Sequence, residues 1–185
     1  DLRWRALPDE LPRLPGGEHA AIDWRVVGAA ITAAQIAGAA ERVSQMTIAY
    51  ANDRVQFGKP IGKIQAIQQQ LSVMAEQSVA ARTAAMLGLA GRGWRVDTLR
   101  AAVAKARTGE AAAQVAAIAH AVHGAIGVTE EFDLQMFTRR LHEWRTQYGG
   151  ESYWSRRLGR ALLGASSPPL QFVQERLSAA AAGRA

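Results

Sequence analysis

The chain has 185 residues, 22 Lys and Arg against 16 Asp and Glu, no cysteine, and an abundance of Ala, Leu, Ile and Val with few aromatics. That length supports one domain with a proper core, and the missing cysteine excludes disulfides and thiolate metal sites while fitting a reducing cytoplasm. The formal charge of +6 comes from dispersed arginines with no basic helix interleaved with aromatics. Nucleic acid is therefore not the expected partner; a solvated basic face or a phosphate-bearing ligand is.

Residues 1–18 hold Pro8, Pro12, Pro15, Gly16 and Gly17 and read as a linker from a preceding domain. The first residue is Asp1, and no basic region followed by an apolar stretch opens the chain. The expectation is a piece of a longer gene product or of an assembly. Helix one is expected from about Ala20 to Asn52, on the helical spacing of Val26, Ala30, Ile36, Ala37, Ala40 and Val43. Helix two is expected over about 61–91, where Ile64, Ile67, Leu71, Met74, Ser78, Ala81 and Ala85 trace a bundle seam. Gly91 and Gly93 break it. Helix three runs over about 97–123 from Asp97 as N-cap, with an Ala-rich face (Ala101, Ala104, Ala112, Ala116, Ala119) that lets a neighbour approach closely. A fourth helix is expected over about 130–146, capped by Thr129, and a fifth over about 151–164 after Gly149 and Gly150.

The longest charge-free run, between Glu110 and Glu130, contains Gln114, His120 and His123 and reads as a buried helix, not a membrane span. No strand pattern of period two appears. The expected fold is all-α: an up-down-up-down four-helix bundle over residues 19–165, with one or two short extra helices and a tail over 166–185. Helices this long leave apolar faces that favour a homo- or hetero-oligomer.

Between the first two helices lies Tyr50-Ala-Asn-Asp-Arg54-Val-Gln56-Phe57-Gly58-Lys-Pro60-Ile61, followed by Gln65. A guanidinium beside a tight turn can clamp a phosphate or pyrophosphate with two parallel hydrogen bonds. This segment resembles the Arg-x-x-Phe-Gly signature, with its following Gln, of the acyl-CoA dehydrogenases. The resemblance implies an FAD cofactor gripped across a subunit boundary by Arg54, Gln56, Phe57 and Gln65.

A second segment, His120-Ala-Val-His123-Gly124-Ala125-Ile126-Gly127-Val128-Thr129-Glu130 with Arg139 and Arg140 beyond it, is similar to the family's glycine stretch. That stretch lies against the ADP part of the flavin, where a residue without Cβ lets the backbone come close. The resemblance places His123, Gly124 and Ala125 at the cofactor. Two positions depart: the family's Gln falls on Ala121, and its second Gly on Ala125. The spacing of His120 and His123 could suit a metal, but no third ligand is evident, and no metal is expected.

The family removes an α proton and a β hydride from an acyl-CoA, with a carboxylate as base and the flavin as hydride acceptor. The resemblance predicts that carboxylate at one of two places. Counting from Arg139 or Arg140 gives Tyr148 or Gly149, and the alternative, directly before Arg25, is Trp24. None is acidic. The nearest candidates are Glu151 and Asp23; Tyr148 offers a hydroxyl that can donate a hydrogen bond but is a poor base. Arg25 is the implied substrate-side cation. Three readings follow: a non-catalytic partner subunit in a hetero-oligomeric acyl-CoA dehydrogenase, as in some bacterial enzymes acting on CoA esters of steroid side chains; a diverged homo-oligomer with a relocated base; or a non-enzymatic helical scaffold or interaction module. The match covers most of residues 20–164, which correspond only to the family's C-terminal helical domain.

Overall fold

The computed structural model describes residues 22–91 and 95–178. The expected linker over 1–18 lies outside them. Three long helices form the frame: α1 (Trp24–Asp53), α2 (Gln65–Leu89) and α3 (Thr98–His123). Asp23 sets the start of α1 by accepting from the backbone N–H groups of Arg25 and Val26 at 3.0 and 3.2 Å. Asp97 does the same for α3 through the N–H of Arg100 at 2.8 Å. Both caps satisfy amides that the first turn leaves without partners.

Apolar clusters fix the directions of the helices. Val26 and Ala30 of α1 pack with Ala101 and Ala102 of α3 at one end, and Ala51 packs with Val122 at the other, so α1 and α3 are parallel. Ile67 and Leu71 of α2 lie at the Ala51 end, whereas Ala81 and Ala85 meet Ala37 and Ala111, so α2 runs the opposite way. The expected Ala face is fully buried at Ala101, Ala104, Ala112, Ala116 and Ala119. A Cβ on Gly88 of α2 would fall 2.5 Å from Ala104 Cβ, which shows how closely α2 and α3 approach.

The fourth leg of the bundle is two helices end to end. α4 (Leu134–Thr146) buries Leu134 and Leu141 against Ile36, Val43 and Val115; α5 (Glu151–Leu163) buries Trp154 against Val26 and Ala101. The leg breaks at 147–150, where Tyr148 and Gly149 take φ values of 56° and 102°. α6 (Pro169–Arg176) follows and buries Phe172.

Two expectations are corrected. The fourth helix starts at Leu134, not near residue 130, and Thr129 does not cap it. Gly124–Val128 forms a 3-10 turn instead, and the Thr129 hydroxyl donates back to Ile126 O at 2.9 Å. There is also a small strand pair, β1 (Val55–Gln56) with β2 (Lys59–Pro60), antiparallel in register Val55↔Pro60 and Gln56↔Lys59. Two residues are too short to leave a period-two pattern. The link is a two-residue turn with φ of 52° at Phe57 and 75° at Gly58, the positive pair that matches hairpin twist.

α3 continued through Val128 is long and apolar enough to cross a membrane by length and composition alone. It is packed against α1, α2, α4 and α5 and buries Arg100, Lys105 and Thr108, as a bundle core helix does.

Candidate functional site

Both signature segments arrive at the same end of the bundle. Because α1 and α3 are parallel, their C-termini lie together although 70 residues separate them in sequence. Tyr50 of α1 stacks on His123 of α3 with ring centroids 4.4 Å apart, and Phe132 closes the cluster at 6.0 Å from Tyr50 and 5.0 Å from His123. The Tyr50 hydroxyl donates to His123 O at 3.4 Å.

His123 is 4 % exposed. Its Nδ1–H donates to Ala119 O at 2.8 Å, which fixes the neutral tautomer and leaves Nε2 as a buried acceptor without a partner. Burial, opposed by that hydrogen bond, holds its pKa below the ordinary value. His123 was expected at the cofactor; its ring is turned inward against Tyr50, and the neighbouring Gly124 and Ala125 are the exposed members of that trio. Gly124 ends α3 with φ of 65°, and nothing stands within 4 Å of where its side chain would be. His120 Nε2 pairs with Thr138 Oγ1 at 3.0 Å. Among the described residues no three His, Asp or Glu form a metal-holding group.

The hairpin projects from this end. Arg54, Gln56, Phe57 and Gln65 are all exposed, and Phe57 is 90 % exposed. Ile61 N–H donates to Arg54 O at 2.8 Å and ties the hairpin base to the end of α1. No described carboxylate lies at ion-pair distance from Arg54. A phenyl ring this exposed, at a turn whose left-handed φ strains a bulky residue, contributes nothing to its own core. Beside it a groove of about 350 Å³ is lined by Arg42, Gln45, Met46, Ala49, Tyr50, Asp53 and Phe132.

The opposite end carries the substrate-side candidates. Asp23 caps α1 with its carboxylate. Arg25 is exposed and sits 5.5 Å over the Tyr153 ring. Glu151 opens α5, and its Oε1 accepts from Arg145 Nε at 2.7 Å. Burial pulls its pKa up, but the hydrogen bond and charge of Arg145, together with the charge of Lys105, outweigh that and hold the carboxyl below its ordinary value. Gly109 makes the room, since a Cβ there would lie 2.5 Å from Glu151 Oε1. Lys105 and Arg145 are parts of this cluster that sequence reasoning missed. The signal was present: Lys105 falls on the stripe of Ala101, Thr108 and Ala112, all fully buried. Its Nζ donates to Arg145 O at 2.8 Å. Burial, against the attraction of Glu151 and with the repulsion of Arg145, lowers its pKa to about 8.

Residues 21–162 match the family model described as acyl-CoA dehydrogenase, C-terminal domain. The chain belongs to the acyl-CoA dehydrogenase family. Acyl-CoA dehydrogenase FadE34 of Mycobacterium tuberculosis is 38 % identical over 136 residues, covering 71 % of this chain and 19 % of that protein. Acyl-CoA dehydrogenase IpdE2 of Mycolicibacterium smegmatis is 35 % identical over 114 residues, covering 62 % of this chain and 35 % of that protein. Among solved structures, the ChsE4–ChsE5 complex from Mycobacterium tuberculosis superposes with a TM-score of 0.69 at 27 % identity, over 82 % of this chain and 42 % of that one. Butyryl-CoA dehydrogenase from Megasphaera elsdenii gives 0.64 at 29 % identity, over 73 % and 36 %. The acyl-CoA dehydrogenase chain described here thus spans about a third of the length of IpdE2 and less than half of either solved chain.

Proposed function

We propose that this chain is the C-terminal helical part of an FAD-dependent acyl-CoA dehydrogenase assembly, completing the flavin site of a neighbouring subunit without contributing a base of its own. The observation that carries the reading is the hairpin end of the bundle. Arg54 has no described ion-pair partner and Phe57 is almost wholly solvent-facing, while Gly124 leaves open space at the C-terminus of α3. These residues fit a dinucleotide. Arg54 offers a bidentate clamp to pyrophosphate oxygens, Phe57 a ring face, Gln56 and Gln65 amide groups, and the backbone at Gly124 and Ala125 an unobstructed approach. When bound, FAD supplies the hydride-accepting chemistry.

The missing carboxylate supports a partner-subunit role. Tyr148 and Gly149 occupy the two counted positions. At Gly149 a side chain would meet Tyr153 Cδ1 at 2.8 Å and Trp154 Nε1 at 3.0 Å, on a backbone with φ of 102°. A glutamate placed there would be strained. Glu151 is committed to Arg145 with a depressed pKa, which makes it a weak proton acceptor. Asp23 is committed to the α1 cap. In the proposed assembly, the carboxylate comes from another chain. The solved ChsE4–ChsE5 complex, an assembly of two differently named components, supports such an arrangement.

The test is co-purification with the products of adjacent genes, followed by flavin absorbance and its bleaching by acyl-CoA. Arg54→Ala should abolish flavin retention and leave the helical circular dichroism unchanged, because Arg54 is exposed beyond the end of α1. Flavin content unchanged in Arg54→Ala and in Phe57→Ala would refute the proposal. An assembly that never retains flavin would favour the scaffold reading.

A further inference from the structure

Tyr50 touches both of the segments offered to the dinucleotide. Its carbonyl accepts from Arg54 N–H at 2.9 Å and so closes α1 at the base of the hairpin. Its ring stacks on His123, and its hydroxyl donates to His123 O at 3.4 Å, the carbonyl next to Gly124. His123 is held in turn by its surroundings. Its Nδ1–H donates to Ala119 O at 2.8 Å, and Phe132 covers the ring with centroids 5.0 Å apart. The following turn folds onto it so closely that a Cβ on Gly127 would lie 2.9 Å from His123 Cβ. One stacked pair therefore sets where Arg54 and Gly124 stand relative to each other. That pair has one unmet demand, because Nε2 of His123 is buried without a partner. In the neutral ring this costs an acceptor its water. In the charged ring it would leave a buried N–H with a positive charge and nothing to receive it, which costs far more. The titratable groups facing the imidazole are the Tyr50 phenol of α1 and His120 of its own helix, with His142 of α4 acting on His120. Glu130, Glu131 and Asp133 of the next turn are exposed, and among the described residues no carboxylate pairs with either buried histidine.

We propose that Tyr50 and His123 are positioning residues that lock the Arg54 hairpin to the Gly124 turn only while the imidazole is neutral, so that acid loosens both segments and releases flavin from the assembly. The proposal rests on the flavin reading and adds the regulation of that site to it. A proton on Nε2 must reach water to be solvated. The rings that cover His123 are also walls of the groove of about 350 Å³, where Arg42 and Asp53 stand, so moving Tyr50 or Phe132 admits that water. Moving Tyr50 breaks the stack on His123 and disturbs the carbonyl that holds Arg54. Burial holds the His123 pKa below its ordinary 6.5, opposed by the hydrogen bond to Ala119 and helped by the charge of His120. The locked state is therefore fully favoured above pH 6.5 and is lost as pH falls from there through the folded value. His120 is also pushed down by burial, but its ring is tied to Thr138 of α4 instead of to the Tyr50 joint.

The experiment has two readouts. On the full chain alone, NMR follows the Arg54 and Gly124 amide signals from pH 8 to pH 5. Both should move in one shared step with a midpoint below 6.5. His123→Phe keeps a ring on Tyr50 and should abolish that step, whereas His120→Gln should retain it. Tyr50→Leu should uncouple the two, leaving the step at Gly124 and removing it at Arg54. In the flavin-loaded assembly, the flavin dissociation constant should be about tenfold higher at pH 5.5 than at pH 7.5, the ratio set by an imidazole of ordinary pKa in the loosened state. That ratio should fall close to one in His123→Phe and persist in His120→Gln. Separate midpoints for the two amides, a step that survives His123→Phe, a step removed by His120→Gln alone, or a ratio near one in the parent would each overturn the proposal. Circular dichroism checks the fold of every variant. An assembly that never retains flavin sinks the flavin reading, while the amide titration still decides the coupling, so the two failures are distinguishable.

Discussion

Lys105 gives the sharpest quantitative test of the buried cluster. Its side chain is fully buried, the only described hydrogen bond of its ammonium is to Arg145 O at 2.8 Å, and its pKa falls from 10.5 to about 8, chiefly by burial. At about 1.4 kcal/mol per pH unit, holding the ammonium in the fold costs about 3 kcal/mol. Because the folded pKa lies below the unfolded one, the unfolded chain binds more protons between them. The penalty is complete below pH 8 and relieved as pH rises through the folded pKa toward the unfolded one. Lys105→Met keeps the volume and removes the charge, but leaves Arg145 O without a donor, at about 1 kcal/mol. The variant should therefore be more stable than the parent by about 2 kcal/mol at pH 7, and less stable by about 1 kcal/mol above pH 10.5. Urea unfolding of both proteins from pH 6 to 11 reads the difference directly, since other titrating groups cancel between them. A stability difference that stays flat across this range would refute the buried-ammonium argument.

Glu151→Gln should destabilise the domain by about 2 kcal/mol at pH 7, because Arg145 loses its anionic acceptor and Lys105 its nearby anion. Its folded pKa is depressed, so that contribution is present above the unfolded value near 4.5 and is lost as pH falls through the folded one. Denaturation at pH 7 and pH 3 measures this, and the same variant should leave acyl-CoA-dependent bleaching intact in the assembly. Trp154→Ala empties the largest fully buried side chain among the described residues and should cost about 3–5 kcal/mol by thermal or urea unfolding, the loss falling on the α5 end, where it packs on Val26 and Ala101.

The helices were legible because their apolar spacing is long-range and repetitive. α1 and α3 appear within a few residues of their expected limits, and the small side chains at Ala101, Ala104 and Ala112 announced close packing. Boundaries set by competing local chemistry were not legible. Thr129 looks like a cap, yet Gly127 packs so tightly, with a Cβ there only 2.9 Å from His123 Cβ, that the segment winds into a 3-10 turn and delays α4 to Leu134. The hairpin was hidden because two residue pairs leave no period.

The order and types of residues determined by themselves an all-helical chain, the arginine–phenylalanine turn, the glycine stretch, and the absence of an acid at Trp24, Tyr148 and Gly149, since composition and spacing are properties of the string. Only the tertiary structure decided which of these meet. Parallel α1 and α3 bring Tyr50 onto His123, turning that imidazole inward while Phe57 points to solvent. Burial is likewise a property of the packed state. It is why Lys105 and Arg145, two ordinary charges in the sequence, become the cluster that claims Glu151 and fixes the backbone where an acid was expected.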